Sequence, residues 1–176
     1  MLPTIKKECS QFLKESNGFP LLKNLPIDND GFRKVKVRKK KNLKSDLVNV
    51  FNETFNDHDQ LMQRSIFAHG LKAFQPVVND EIEPFFIFPI DGYKFMYAES
   101  VSDTTAIYKS TLDKLIEIYG ETGIKTFKEV LKYQYSFNNL DEGLITNSEI
   151  ILYNIPYYYA LRYSLVKNYA DFFNEI

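Results

Sequence analysis

Residues 83–120, EPFFIFPIDGYKFMYAESVSDTTAIYKSTLDKLIEIYG, decide the fold class. Phe85-Phe86-Ile87-Phe88 is apolar at every position, the pattern of a strand covered on both faces and therefore central. Tyr93, Phe95 and Tyr97 alternate with Lys94 and Met96, which is the period of a second strand. Asp91-Gly92 between them is a strong hairpin signal, because glycine takes the positive φ that tight turns require. The spacing therefore predicts a central aromatic hairpin. The period then changes to that of a helix. Tyr108, Leu112, Leu115, Ile116 and Tyr119 share one face, Ser102 or Asp103 stands at the N-cap, and Gly120 closes the C-terminus.

C-terminal to this stretch, Ile124, Phe127, Leu131 and Tyr135 predict a second helix over 123–135, folded back on the first as an αα-hairpin against the sheet. Residues 138–147 are polar and read as a loop. Glu149–Tyr153 reads as a buried strand, interrupted at Pro156, and 157–161 suits either strand or helix. Tyr169, Phe172, Phe173 and Ile176 make a last helical face.

N-terminal to it, Ile5, Cys9, Phe12 and Leu13 predict a helix over Thr4–Ser16, stopped by Asn17-Gly18. Cys9 lies on its apolar face and reads as a small buried hydrophobe. Residues 19–31, with Pro20, Pro26 and the turn Asp28-Asn29-Asp30-Gly31, read as a connector. Phe32, Val35 and Val37 alternate with charged neighbours, predicting an edge strand over 32–38. Ser45 caps a helix carrying Leu47, Val50, Phe51 and Phe55, which Asn56-Asp57-His58-Asp59 ends. Ile66-Phe67-Ala68 reads as a short strand leading to His69-Gly70, and 76–84 as an acidic surface loop. The whole predicts one α+β domain over 1–176, with a helix and connector (1–30) attached to a sheet-and-helix core (31–176). Its sheet is mixed or antiparallel around the aromatic hairpin, packed by about four or five helices.

A chain of 176 residues buries enough surface to fold without staples, and its single cysteine excludes an internal disulfide. Lys6, Lys7 and Glu8 interrupt any N-terminal apolar run and no stretch has the length of a membrane span, so a cytoplasmic protein without membrane partners is expected. The net charge of −1 conceals an uneven distribution. Arg33, Lys34, Lys36, Arg38, Lys39, Lys40, Lys41 and Lys44 fall in one acid-free run, which leaves 14 basic against 23 acidic residues elsewhere. A positive patch on an acidic body can steer an acidic partner.

That run supports two kinds of binding: an acidic protein, or the phosphates of a nucleic acid with nearby aromatics stacking on bases. Tyr157, Tyr158 and Tyr159, in a segment that also holds Tyr153 and Tyr163, add a candidate interface. Catalytic candidates are few. His58 lies between two aspartates in a polar turn, and His69 is the better-placed general base. Two histidines and a distant cysteine do not make a zinc site. No GxxxxGK[ST], GxGxxG or GxSxG motif occurs, so no metal, cofactor or triad chemistry is expected.

Two resemblances bear on function. The order Arg64, aromatic strand 93–97, Glu149 loosely resembles ADP-ribosyltransferases, in which an arginine contacts the dinucleotide phosphates and a glutamate on a late strand supports the chemistry; the Ser-Thr-Ser strand of that family is missing. The segments FFIFPIDGYKFMY (85–97) and SEIILYNIPYYYAL (148–161) resemble small accessory proteins of T-even-like tailed bacteriophages. The second resemblance implies a place in the infected host cytoplasm or the virion, and a host or anti-phage defence protein as partner. The expectation is a non-enzymatic macromolecular-interaction protein, with nucleic-acid binding, an ADP-ribosyltransferase-like activity and virion assembly as alternatives.

Overall fold

The structure, a computed structural model, describes residues 1–40, 45–55 and 61–175. Its helices are α1 (Leu2–Glu8), α2 (Ser10–Glu15), α3 (Asp46–Thr54), α4 (Leu61–Arg64), α5 (Thr104–Tyr119), α6 (Glu121–Gln134), α7 (Leu140–Ile145) and α8 (Tyr169–Glu175). Its strands are β1 (Leu22–Pro26), β2 (Phe32–Lys36), β3 (Ile66–His69), β4 (Ile82–Pro89), β5 (Lys94–Ala98), β6 (Tyr135–Ser136), β7 (Glu149–Tyr153) and β8 (Tyr157–Arg162). All pairings are antiparallel, in the order β2-β8-β4-β1-β3-β7-β5-β6. The α+β class holds, with eight helices among the described residues rather than four or five. No described helix is long and apolar enough to cross a membrane.

The aromatic hairpin does not form. β4 pairs with β1 and β8, β5 pairs with β7 and β6, and three strands separate them. In a flat sheet four strand spacings are roughly 19 Å, whereas the five steps from Pro89 to Lys94 reach about 17 Å fully extended. The turn shortens them further, since the Tyr93 N–H donates to Ile90 O at 3.3 Å. The sheet therefore curls, and this link carries the chain from one half of it to the other. Asp91-Gly92 still makes a turn, with Gly92 at φ +88, but α2 takes up its polar groups. The Asp91 carboxylate accepts from Ser10 Oγ (2.7 Å) and from the Gln11 N–H (2.8 Å), and Gly92 N–H donates to Gln11 Oε1 (2.9 Å).

The curl explains the core. The inner faces of β4, β8 and β1 meet Phe95, Tyr97, Ile150 and Leu152 of the other half, with Ile5, Cys9 and Phe12 of the N-terminal helices between them. Phe12 packs edge-on against Phe88 and Tyr93, with ring centroids 6.0 and 6.4 Å apart. The opposite face of β7 and β5 (Ile151, Tyr153, Met96, Ala98) packs against α3, α4, α5 and α6. β4 is interior and buried along Phe85–Pro89, as its unbroken apolar run requires. Burial pushes the Cys9 thiol up to about 12, so it is an inert core residue.

The predicted N-terminal helix breaks at Cys9 into α1 and α2. The supposed connector 19–31 contains β1, near the middle of the sheet, so residues 1–30 belong to the core rather than being attached to it. The supposed loop 138–147 contains α7, whose Leu140 and Leu144 are buried. Segment 157–161 is strand β8, and β2 is the edge strand its alternation predicts. Asp103 is the N-cap of α5, accepting from the Ala106 N–H at 2.7 Å. The Asn56–Asp59 stop and Ile176 lie outside the described residues.

The polar clasp on the Asp91 turn has a measurable worth. Asp91→Ala loses both acceptor contacts to α2 and should destabilise by about 1–2 kcal/mol in urea unfolding, the usual cost of a deleted helix cap. Asp91→Asn should recover most of it, and an unchanged unfolding midpoint in the alanine variant would show that α2 does not depend on the turn.

Candidate functional site

Two candidate surfaces seen separately in the sequence are neighbours in the sheet. β2 pairs with β8 over Phe32↔Leu161, Arg33↔Ala160, Lys34↔Tyr159, Val35↔Tyr158 and Lys36↔Tyr157. The Arg162 N–H donates to Gly31 O (2.7 Å) and the Val37 N–H to Pro156 O (2.9 Å). In an antiparallel ladder that phase turns the N–H and C=O of residues 33 and 35 toward β8 and those of Phe32, Lys34 and Lys36 toward the open side. β2 therefore offers a sheet edge carrying two exposed lysines.

The tyrosines are mostly spent on the fold. Tyr158 and Tyr159 are buried and Tyr157 is half-buried. The hydroxyls of Tyr157 and Tyr159 donate to Glu8 Oε2 at 3.1 and 2.8 Å, which together hold the Glu8 carboxyl below its usual range. Lys34 Nζ sits 3.4 Å from the centroid of the Tyr157 ring. Phe32 stacks on Tyr159 at 5.4 Å. The expected tyrosine-rich surface is thus a buttress under the basic edge, not an open aromatic face.

The basic run divides by environment. Arg33 is taken up by Asp28, by Pro26 O at 2.6 Å and by the Phe85 ring at 4.8 Å, so it pins the 26–28 turn rather than facing a partner. Lys34, Lys36, Arg38 and Lys39 are exposed. Lys40 turns away and places Nζ over the Phe67 ring at 3.9 Å. Lys41 and Lys44 lie outside the described residues, as does His58. At the end of β2 a cleft of about 540 Å³ opens between Val37, Lys39, Leu61, Arg64, Tyr153 and Pro156. Arg64 therefore joins the basic surface.

Arg64 does not meet Glu149. Glu149 and His69 face each other across paired strands at the far end of β7, with His69 Nε2 3.8 Å from Glu149 Oε1. They line a second cleft of about 420 Å³ with Lys23, Phe67, Gln75 and Ser102. Glu149 Oε2 accepts from the Thr104 N–H (3.0 Å) and so tethers the start of α5, while His69 Nε2 donates to Ser102 O (3.0 Å). Burial raises the Glu149 pKa, partly offset by Thr104 and His69. With the arginine and the glutamate in separate clefts, the ADP-ribosyltransferase arrangement is not assembled.

Lys23 is the residue that sequence reading missed. Its signal is a lone cation beside Leu21, Leu22 and Leu25, within the stretch whose prolines and turn residues predict a connector. Lys23 Nζ donates to Phe67 O at 2.6 Å, and burial lowers its pKa. Lys40 as a residue is exposed, but its ammonium seats on the Phe67 ring; that desolvation first, and Lys23 second, bring its pKa down to about 8. No family model matches this chain, and searches of curated proteins and of solved structures find no match.

The Lys23–Lys40 coupling gives a pH prediction. Lys23→Met removes a like charge and should raise the Lys40 pKa, while Glu149→Gln should lower it, both readable by NMR titration of the labelled side chain. Between about 8 and the unfolded lysine value of roughly 10.4 the unfolded chain holds a proton that folded Lys40 has lost, so this group adds stability as pH rises through that window. An unmoved Lys40 titration in Lys23→Met would refute the coupling.

Proposed function

We propose that the protein is a non-enzymatic binding protein that takes an acidic, extended protein segment along the open edge of β2. The observation carrying this reading is the position of β2 as end strand, with Lys34 and Lys36 exposed on it. Backbone groups at an open edge supply strand-to-strand hydrogen bonds to an incoming chain, and alternate side chains supply selectivity. Lys34, Lys36, Arg38 and Lys39 select for acidic residues, and the cleft beyond Val37, with its apolar floor and Arg64 at its rim, suits an anchoring side chain. A body with an acidic excess beside this patch favours one approach direction.

Nucleic acid would meet the same cations. It would need open rings for its bases, and the rings beside β2 are buried or capped by Lys34. The protein reading is therefore preferred. The resemblance of 85–97 and 148–161 to phage accessory proteins implies a host or defence protein as that partner and the host cytoplasm as the meeting place.

A labelled glutamate-rich peptide and a single-stranded DNA of equal charge test this directly. The peptide should bind, and Lys34→Glu/Lys36→Glu should weaken it by about tenfold or more while the chain stays folded, the lost Lys34–Tyr157 contact costing about 0.5–1 kcal/mol. Lys36→Pro removes an N–H that β8 does not use and should weaken the peptide more than Lys36→Gln does. DNA binding with a steep salt dependence, and no peptide binding, would overturn the proposal.

A further inference from the structure

The cleft at the end of β2 is framed by two backbone hydrogen bonds. The Val37 N–H donates to Pro156 O (2.9 Å) and the Lys40 N–H to Gln63 O (3.0 Å), so the chain 37–40 leaves β8 and is fastened to α4. The second bond makes Lys39 and Arg64 neighbours, since each adjoins one of its partners in the chain. Bond geometry then keeps their Cα atoms within about 8 Å of each other. Both residues are exposed and both line the cleft. Among the described residues no aspartate or glutamate lines it, and neither cation has an ion-pair partner.

The rest of the lining is largely apolar. Leu61, Tyr153 and Ile155 are buried in the wall, and Val37 and Pro156 complete it. An aspartate or glutamate side chain brings one negative charge and little apolar surface, so it would leave one cation unanswered and the lining uncovered. A volume of about 540 Å³ has room for a whole aromatic ring. A phosphate monoester carries about −1.5 to −2 charges at pH 7, enough to answer both cations. Its oxygens diverge, so the Arg64 guanidinium can take two side by side while the Lys39 ammonium takes another.

We infer that this cleft is a phosphotyrosine pocket: the partner's phosphorylated tyrosine lays its ring on the apolar lining and sets its phosphate between Lys39 and Arg64. The inference rests on the reading of β2 as a docking edge, because a strand added there extends to the cleft beyond Val37. It names the side chain that anchors that strand.

Two probes separate the pocket from the edge. Phenyl phosphate is titrated into the isotope-labelled full chain at fixed ionic strength, with inorganic phosphate in a parallel arm. Amide resonances around Val37, Arg64 and Ile155 should shift saturably below about 10 mM phenyl phosphate, with inorganic phosphate about tenfold weaker. A glutamate-rich peptide holding one tyrosine is then compared in its phosphorylated and unphosphorylated forms. Phosphorylation should tighten binding by about tenfold or more, and Arg64→Gln or Lys39→Gln should remove most of that gain while the unphosphorylated peptide loses far less. Both side chains are exposed, so neither variant endangers the fold. Equal affinity of the two peptides, equal binding of phenyl and inorganic phosphate, or a gain that survives Arg64→Gln would overturn the pocket and leave the edge reading standing. A phosphorylated peptide held through Arg64 but indifferent to Lys34→Glu/Lys36→Glu would support the pocket and overturn the edge.

Discussion

The chain from Pro89 to Lys94 is too short to cross a flat sheet, and the architecture follows from that. Because β4 and β5 must sit in different halves while their ends stay close, the sheet has to roll until its two halves face each other. Rolling turns Phe95 and Tyr97 toward an interior shared with β4 and leaves a wedge that α1 and α2 fill. It also pulls apart the strands at the fold line. One rung, Leu22↔His69, joins the halves. The gap beside that rung is where Lys23 is accommodated, half-buried, with Phe67 O to receive its ammonium group.

The same basic run thus meets different electrostatic fates over a few residues. Arg33 is consumed internally, Lys34 and Lys36 face outward from β2, Arg38 and Lys39 follow it exposed, and Lys40 doubles back onto the Phe67 ring. A composition count treats these cations as one patch. Their side chains answer to different neighbours: Asp28, the Tyr157 ring, open water and the Phe67 ring. The acidic excess of the remaining chain acts on the exposed members most, since they alone are free to reorient toward a partner.

What could be read from the sequence was whatever a single element decides for itself. The α5–α6 pair, the Asp103 and Ser45 caps, the buried strand at 149–153 and the edge strand at 32–36 follow from periodicity and capping chemistry. Pairing was not legible. Asp91-Gly92 encodes a turn, but the choice between folding back as a hairpin and crossing to another strand rests on α2, more than 70 positions earlier, whose Ser10 and Gln11 claim the turn's polar groups. β1 was hidden because Lys23, Asn24 and Pro26 break a strand pattern for reasons found only in β3 and the 75–77 segment. α7 was hidden by its polar composition: only Leu140 and Leu144 reveal a buried face. His69 and Glu149 were both singled out, yet their adjacency depends on the β3–β7 register.

β8 lies between β2 and β4 although it is the last strand in the chain. On the ribosome, therefore, β4 emerges with one edge unpaired and stays so until residues 157–162 appear. At roughly 5–20 residues per second that wait lasts several seconds. Tyr159 must then also find Glu8, 151 residues back. For that interval Phe85-Phe86-Ile87-Phe88 is an exposed, uncharged strand of the kind that recruits other chains. The half-made molecule already carries its acid-free cationic run, and like charges on neighbouring nascent chains keep them apart. The lysines of β2 guard an edge before they present one.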